Sequence, residues 1–187
     1  KGYEAVSSQD ARARAREFAA WLLEAGFKRG DAISILGEGS PEWIIAELGA
    51  TIAGCVSVPL SIKLLEEELP LRINHSKSRA IITTKNQLGK VLTCLPDVAD
   101  KGIGIIYLDE DIAAARKGAS SHGVSRDRIT SFSEACILVA EALRSQDSKV
   151  AADLATIADA TSENDVVTIC YTSGTTGNPK GIMLTHG

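Results

Sequence analysis

Short apolar stretches alternate with amphipathic stretches along most of this chain. Residues 31–36, 55–60, 80–84 and 103–108 are short and apolar, and each predicts a buried strand. The segments between them have the spacing of amphipathic helices. This repeated alternation of strand and helix predicts an α/β fold with a doubly wound, mostly parallel sheet flanked by helices.

The first predicted helix begins near Ser7 or Ser8, whose hydroxyls can cap it. Asp10 suits the positive end of the helix dipole, and Gly26 is typical of a residue that ends a helix. An apolar stripe at helical spacing predicts the buried face, and its members are Ala11, Ala15, Phe18, Ala19, Leu22 and Leu23.

The second predicted helix begins with Ser40 as N-cap and Pro41 at the first helical position. Its inner face is expected to carry Trp43, Ile44 and Leu48, with Ile52 as a further candidate. The unit of strand, helix and strand is short, which indicates parallel strands joined by a right-handed crossover.

A third helix is expected to begin with the glutamates at 66–68, whose acidic side chains suit the N-terminal dipole. Pro70 is tolerated there only within the first turn. Leu65, Leu69 and Ile73 are expected to share one buried face. His75 falls in the last turn, where we expect it to cap a carbonyl rather than to act in catalysis.

The segment 109–132 differs from the rest because it has little periodic apolar signal. We expect it to be an exposed, partly mobile excursion, followed by a helix over 132–143 and a surface connection over 144–164. Four residues of that helix are expected to face inward: Cys136, Val139, Ala140 and Leu143. The predicted organisation is thus an α/β subdomain (1–108), this intermediate region (109–164) and a hairpin (165–187).

Composition and charge exclude several classes of function. The chain has 187 residues, of which 44% are hydrophobic and 24% charged, as in an ordinary globular protein. A net charge of −4 gives no electrostatic footprint for nucleic acid. No apolar run approaches the roughly 20 residues of a membrane span. We expect a cytoplasmic protein and leave peripheral membrane attachment open.

The four cysteines are widely spaced, at positions 55, 94, 136 and 170, and no C-x-x-C pair occurs. This spacing disfavours a cysteine-rich zinc site. We expect free thiols that pack in apolar surroundings, including Cys170 on a predicted strand.

The richest chemistry lies at 171–181, which reads Tyr-Thr-Ser-Gly-Thr-Thr-Gly-Asn-Pro-Lys-Gly. Gly174 and Gly177 allow backbone angles that other residues avoid, and Lys180 adds a compact cation. Four hydroxyls fall within five positions: Thr172, Ser173, Thr175 and Thr176. Phosphate oxygens accept hydrogen bonds from such donors, so this pattern indicates a polyphosphate site. Apolar residues on both sides predict a loop between two strands.

Two common phosphate motifs do not fit this stretch. The Walker pattern would require Gly in place of Pro179 and a hydroxyl residue in place of Gly181. The dinucleotide pattern fails because Thr176 occupies the second glycine position when counting starts at Gly174. A simple surface turn remains the alternative, since Ser, Thr, Gly, Asn and Pro are common in turns.

The stretch closely resembles the phosphate-binding signature of the adenylate-forming (AMP-binding) superfamily, which includes acyl-CoA synthetases, luciferases and peptide-synthetase adenylation domains. Upstream sequences are similar to the long-chain fatty-acyl-CoA synthetase branch, namely Gly30-Asp31, Ser40-Pro41-Glu42-Trp43, Gly49-Ala50, Ala53-Gly54 and Val58-Pro59-Leu60. The resemblance covers 1–108 and 165–187 and is weak over 109–164.

The resemblance implies an acid–thiol ligase that uses ATP, Mg²⁺ and coenzyme A. A fatty acid would be activated as an acyl-adenylate and then transferred to coenzyme A. The implied metal contact is Thr172 and the implied catalytic residue is Lys180. The implied phosphate-binding residues are Thr172, Ser173, Gly174, Thr175, Thr176, Gly177 and Lys180.

The resemblance also implies that this chain is an N-terminal fragment, because the family's C-terminal lid lies further downstream. We therefore expect it to be inactive alone. Two alternatives stay open: an adenylate-forming enzyme for an amino or aryl acid, and a non-catalytic module that binds ATP or phosphate. The sequence leaves the oligomeric state open.

Overall fold

The computed structural model describes residues 5–145, 148–172 and 179–187. Seven α-helices occur in this part of the chain: α1 (Ser8–Glu24), α2 (Pro41–Ile52), α3 (Leu69–Ser76), α4 (Lys85–Cys94), α5 (Ile112–Ser121), α6 (Phe132–Arg144) and α7 (Lys149–Ala160). The strands are β1 (Ala32–Leu36), β2 (Val56–Pro59), β3 (Ala80–Thr83), β4 (Gly104–Tyr107), β5 (Ile129–Ser131), β6 (Val166–Thr172) and β7 (Lys180–Thr185).

The strands form one sheet in the order β5-β4-β3-β1-β2-β6-β7. All neighbouring pairs are parallel except β6 and β7, which form an antiparallel hairpin. The chain runs outward from β1 in one direction through β2 and in the other through β3, so the sheet is doubly wound. The predicted fold class is confirmed.

Two hydrophobic cores lie on opposite faces of the sheet. Helices α1, α2, α6 and α7 cover one face, where Phe18, Ile33 and Phe132 are fully buried. Helices α3, α4 and α5 cover the other, where Leu69, Ile81 and Ile105 are fully buried. Neighbouring residues of one strand point to opposite faces, so each strand contributes to both cores.

The predicted inner face of α2 is correct for Trp43 and Ile52, which pack against the core, and wrong for Ile44 and Leu48. Ile44 and Leu48 are 55% and 47% exposed, whereas the buried residues of the helix are Ile45, Ala46, Gly49 and Ala50. A Cβ at Gly49 would lie 2.8 Å from the carbonyl oxygen of Ala15 and 2.8 Å from Cδ1 of Phe18. Helices α1 and α2 therefore approach closely at Gly49, and Ile44 and Leu48 lie outside the contact.

The prediction for the third helix is partly wrong. Pro70 lies in the first turn of α3, and Leu69 and Ile73 are buried, as expected. Leu65, however, precedes the helix in extended backbone and is 59% exposed. The glutamates at 66–68 form a short 3₁₀ turn between these two parts.

The predicted excursion over 109–132 is wrong because this segment contains α5 and the edge strand β5. Asp111 caps α5 by accepting a hydrogen bond from the backbone N–H of Ala114 at 3.0 Å. Ala115 and Ala119 are its buried residues, and β5 pairs in parallel with β4. Two alanines give a weak apolar signal, which explains why the sequence pattern missed the helix.

The predicted surface connection over 144–164 contains helix α7. Ser148 caps it by accepting a hydrogen bond from the N–H of Ala151 at 3.2 Å. Val150 and Leu154 are 4% exposed and join the core beneath α1. The helix over 132–143 is confirmed by α6, and its buried residues include Cys136 and Val139.

Contacts of Asp165 fix the start of β6. Its carboxylate accepts a hydrogen bond from the N–H of Ser162 at 2.8 Å and pairs with the guanidinium of Arg29. Its carbonyl oxygen accepts from the N–H of His186 at 3.2 Å. The Ser162 N–H and then Arg29 lower the pKa of the Asp165 carboxyl from its ordinary value.

Substituting Gly49 with Ala tests the close packing of α1 on α2. We expect Gly49→Ala to destabilise the chain by about 1–3 kcal/mol, because the new methyl group overlaps Ala15 and Phe18. The matched control is Gly89→Ala in α4, where a Cβ meets nothing within 4 Å. The control should stabilise by about 0.5–1 kcal/mol through helix propensity. Urea unfolding measures the free energy of unfolding of both variants. A change of the same sign in both would contradict the close packing of α1 on α2.

Substituting Asp165 with Asn tests the anchor of β6. The pKa of Asp165 is lowered in the folded state, so its stabilisation is present above about pH 4 and lost as the pH falls further. We expect Asp165→Asn to lower the free energy of unfolding near pH 7, and this difference from the unsubstituted chain to shrink below about pH 4. The control is Asp153→Asn, at an exposed position of α7. A difference that is independent of pH would contradict the assignment.

Candidate active site

The predicted phosphate loop connects β6 to β7 at the carboxyl edge of the parallel sheet. Thr172 and Lys180 are paired residues on the two strands and stand on either side of this connection. Both residues are exposed. The other predicted phosphate-binding residues lie outside the described part of the chain: Ser173, Gly174, Thr175, Thr176 and Gly177.

Polar contacts attach the hairpin to the rest of the sheet. Thr168 of β6 is paired with Ser57 of β2, and its Oγ1 donates a hydrogen bond to the Ser57 carbonyl at 3.0 Å. The Ser57 hydroxyl in turn donates to Oε1 of Glu47 on α2 at 3.2 Å. The hairpin is thereby tied to both the central sheet and the helix that covers it.

Tyr171 attaches the mouth of the hairpin, the end where Thr172 and Lys180 pair, to α3. Its hydroxyl oxygen lies 2.7 Å from Nδ1 of His75 and donates to the carbonyl oxygen of Arg72 at 3.2 Å. Burial raises the pKa of Tyr171 above its ordinary value, so the phenol is neutral near pH 7. The expectation that His75 caps a carbonyl is wrong, because the ring contacts a residue of another element.

The mouth of the hairpin offers the donors that a phosphate requires. Thr172 supplies a hydroxyl and Lys180 supplies an ammonium with three N–H groups, next to each other at one strand end. Hydrogen bonds between charged donors and phosphate are shorter and stronger than neutral ones. This arrangement can bind a polyphosphate and neutralise part of its charge.

Thr172 is suited to one position in the coordination of Mg²⁺. This ion takes oxygen ligands and usually keeps waters and substrate phosphates in most of its positions. Within the described residues, no group of three or more His, Cys, Asp or Glu side chains is placed to hold a metal. The hydroxyl of Thr172 can therefore supply one ligand to an ion whose other ligands are waters or phosphate oxygens.

A cavity near the carboxyl ends of three strands is separate from the hairpin. It has a volume of about 760 Å³ and lies near the carboxyl ends of β1, β3 and β4, with Glu38 and Thr84 in its wall. Thr84 and then Gln87 donate to the Glu38 carboxylate and lower its pKa, and the Gln87 contact measures 2.6 Å. A Cβ at Gly37 would lie 2.7 Å from Cγ2 of Thr84. The turn at 37–38 thus joins the ends of β1 and β3, and both oxygens of its Glu38 carboxylate already accept hydrogen bonds.

The cysteines are free thiols, as predicted. Burial raises the pKa of Cys55 and Cys136 to about 12 and that of Cys94 to about 11. These three thiols are therefore protonated near pH 7 and unsuited to nucleophilic catalysis. Cys170 is half-buried on β6, one residue before Tyr171.

Curated relatives of this chain are CoA ligases for different acids. It is 29% identical over 187 residues to long chain acyl-CoA synthetase 7, peroxisomal, of Arabidopsis thaliana, covering 99% of this chain and 24% of the relative. It is 27% identical over 177 residues to 4-coumarate–CoA ligase 4 of the same plant, covering 95% of this chain and 27% of the relative. It is 33% identical over 165 residues to 4-hydroxybutyrate–CoA ligase 2 of Metallosphaera sedula, covering 88% and 27%. The chain thus spans about a quarter of each relative.

Two solved structures with the same fold are complexes with AMP or an acyl-AMP. An adenylation–carrier didomain of a carboxylic acid reductase from Segniliparus rugosus, in complex with AMP, superposes with a TM-score of 0.75 at 22% identity, covering 98% of this chain and 26% of that one. The anthranilate CoA ligase AuaEII, in complex with anthranoyl-AMP, superposes with a TM-score of 0.72 at 19% identity, covering 95% of this chain and 29% of that one. At these identities the likeness establishes the fold.

No helix in the described residues is both long and apolar enough to cross a membrane.

The profile of a protein family described as AMP-binding enzyme matches the whole chain, residues 1–187. This match agrees with the sheet topology and with the signature at the mouth of the hairpin. The chain belongs to the AMP-binding enzyme family.

Proposed function

We propose that this chain is part of an ATP-dependent acid–CoA ligase and that its hairpin binds the phosphates of ATP. The observation that carries the proposal is the pairing of Thr172 with Lys180 on either side of the signature loop. A hydroxyl and an ammonium at one strand end provide the charge and the hydrogen-bond donors that a triphosphate needs. The family assignment supports ATP as the nucleotide.

In the first step, a carboxylate oxygen of the acid attacks the α-phosphorus of ATP. The bond between that phosphorus and the bridging oxygen of the β-phosphate breaks, and pyrophosphate leaves. Lys180 holds the negative charge that develops on the departing group, and Thr172 orients a phosphate oxygen. Mg²⁺, with Thr172 as one ligand, would neutralise further phosphate charge. In the second step, the thiol of coenzyme A releases its proton to solvent and its sulfur attacks the acyl carbon. The bond between that carbon and the phosphate oxygen breaks, and AMP leaves.

The remaining residues of the loop have predicted roles in the same site. Ser173, Thr175 and Thr176 supply hydroxyl donors in this proposal, and Gly174 and Gly177 let the backbone approach the phosphates. Their sequence positions, directly between Thr172 and Lys180, support these roles.

We propose a fatty acid as the substrate. Support comes from the upstream sequences of the long-chain branch and from the relatives, which include two long chain acyl-CoA synthetases and a fatty acyl-CoA synthetase. An aryl acid is the second candidate, because 4-coumarate–CoA ligases match at similar identity. The compartment is proposed to be the cytoplasm.

We also propose that the chain forms the first part of a larger N-terminal domain and that the lid lies elsewhere in the polypeptide. Its quarter share of the relatives' length supports this. So does exposed apolar surface on α2 and β7, where Ile44, Leu48, Ile182 and Leu184 are each about half exposed. Apolar surface of this kind is typical of an interface with other protein.

Replacing Lys180 in the full-length gene product tests the phosphate site. We expect Lys180→Ala to lower kcat/KM for ATP by about 10²-fold or more, because a preorganised charge is lost from the reacting group. The matched control is Lys117→Ala, at an exposed lysine of α5, which should leave the rate unchanged. Acid-dependent exchange of pyrophosphate into ATP is the measurement. Equal rates for both variants would overturn the assignment of Lys180.

The same assay with a panel of acids tests the substrate. A long-chain fatty acid should support exchange at a higher kcat/KM than a hydroxycinnamic acid or an amino acid. The opposite order would replace the fatty acid with the aryl or amino acid as substrate. ATP binding without exchange for any acid would favour a non-catalytic ATP-binding module.

A further inference from the structure

We propose that His75 and Tyr171 form a positioning pair that fixes the phosphate-binding mouth of the hairpin to helix α3. This inference rests on the proposed function, because it assigns the pair an effect on ATP. Neither residue is proposed to touch the reacting atoms. Their contact joins positions that are 96 residues apart in the sequence, and it comes one residue before Thr172.

The ring of Tyr171 lies across the backbone of Gly181. These two residues are paired across the hairpin, and a Cβ at Gly181 would lie 3.3 Å from Cε1 of the ring and 3.0 Å from Cγ2 of Ile169. The φ angle of Gly181 is not positive, so the backbone here does not require glycine. Glycine matters at this position because its missing side chain leaves space for the ring. The small residue lets the ring reach over the strand toward α3.

The hydrogen bonds of the phenol define the direction of the contact with His75. The Tyr171 hydroxyl has one proton, which it donates to the carbonyl oxygen of Arg72. It therefore accepts a hydrogen bond from His75, which requires a proton on Nδ1. The two rings meet edge to face, with centroids 5.8 Å apart and planes at 73°. The pair thus fixes both the position and the tilt of the phenol.

Helix α3 is a rigid support for this pair. Leu69 and Ile73 are 0% and 2% exposed in the core. The side chain of Arg72 is buried and donates to the carbonyl oxygen of Glu68 at 2.7 Å, and it also pairs with the Glu68 carboxylate. The helix turn that presents the Arg72 carbonyl and the His75 ring is therefore held by packing and by charge.

The consequence for the site follows from the backbone. Thr172 directly follows Tyr171, and Lys180 directly precedes Gly181, so one ring fixes both sides of the mouth. Groups that donate to phosphate must be held in place for their hydrogen bonds to form with good geometry. Loss of the pair should therefore weaken the use of ATP.

The experiment measures steady-state pyrophosphate exchange by the full-length gene product. Tyr171→Phe keeps the ring on Gly181 and removes only the hydroxyl, and His75→Ala removes the donor. We expect His75→Ala to raise KM for ATP by about 2–10-fold, as for loss of one hydrogen bond, with KM for the acid unchanged. Tyr171→Phe should raise KM for ATP at least as much, because it also loses the hydrogen bond to the Arg72 carbonyl oxygen. The double variant should match Tyr171→Phe, because His75 acts on the site only through the phenol hydroxyl.

Two further variants separate positioning from general stability. His75→Asn keeps an N–H donor near the Nδ1 position and should return KM for ATP to within about twofold of the unsubstituted protein. His122→Ala removes another exposed histidine, whose Nδ1 lies 2.9 Å from the Gly118 carbonyl oxygen, and should have no effect on KM for ATP.

The possible failures are distinguishable. If the unsubstituted protein shows no acid-dependent exchange, the proposed function fails and this inference fails with it. If it is active and Tyr171→Phe and His75→Ala leave KM for ATP unchanged, the positioning role alone is wrong. Equal increases in KM for ATP and for the acid, or effects that add in the double variant, would also overturn the inference.

Discussion

The attachment of β6 to β2 is the contact on which the candidate site depends. Thr168 pairs with Ser57, and its hydroxyl joins β6 to the β2 backbone. The Ser57 hydroxyl in turn joins β2 to Glu47 of α2. Because β6 runs parallel to β2, its carboxyl end lies at the same edge of the sheet as the ends of the other parallel strands. The antiparallel return of β7 then brings Lys180 beside Thr172. The parallel strands thus support a short hairpin, and the candidate site residues Thr172 and Lys180 lie at its loop end.

Much of the fold could be predicted because large apolar side chains recur at regular spacing in most elements. The prediction was wrong where small residues make the contact. Helix α5 buries Ala115 and Ala119, and α2 meets α1 through Gly49, whose missing Cβ permits the approach. Hydrophobicity alone placed Ile44 and Leu48 inside, although both lie outside the helix contact. Close helix packing favours small side chains, and their apolar signal is weak.

The candidate site was predictable to the extent that it is local in sequence. Hydroxyls, glycines and a lysine within eleven positions indicate phosphate without knowledge of the fold. The support from His75 was not predictable, because it joins residues 96 positions apart and depends on how α3 packs beside β6. A tyrosine at a strand end reads as a core residue, and only the tertiary structure provides the partners of its hydroxyl.

The central claim is that the mouth of the β6–β7 hairpin binds the phosphates of ATP. The most direct test is a crystal structure of the full-length gene product with a non-hydrolysable ATP analogue and Mg²⁺. The account predicts phosphate oxygens within hydrogen-bond distance, about 2.7–3.2 Å, of Lys180 Nζ and Thr172 Oγ1. A nucleotide bound elsewhere, with both of these atoms remote from its phosphates, would contradict it.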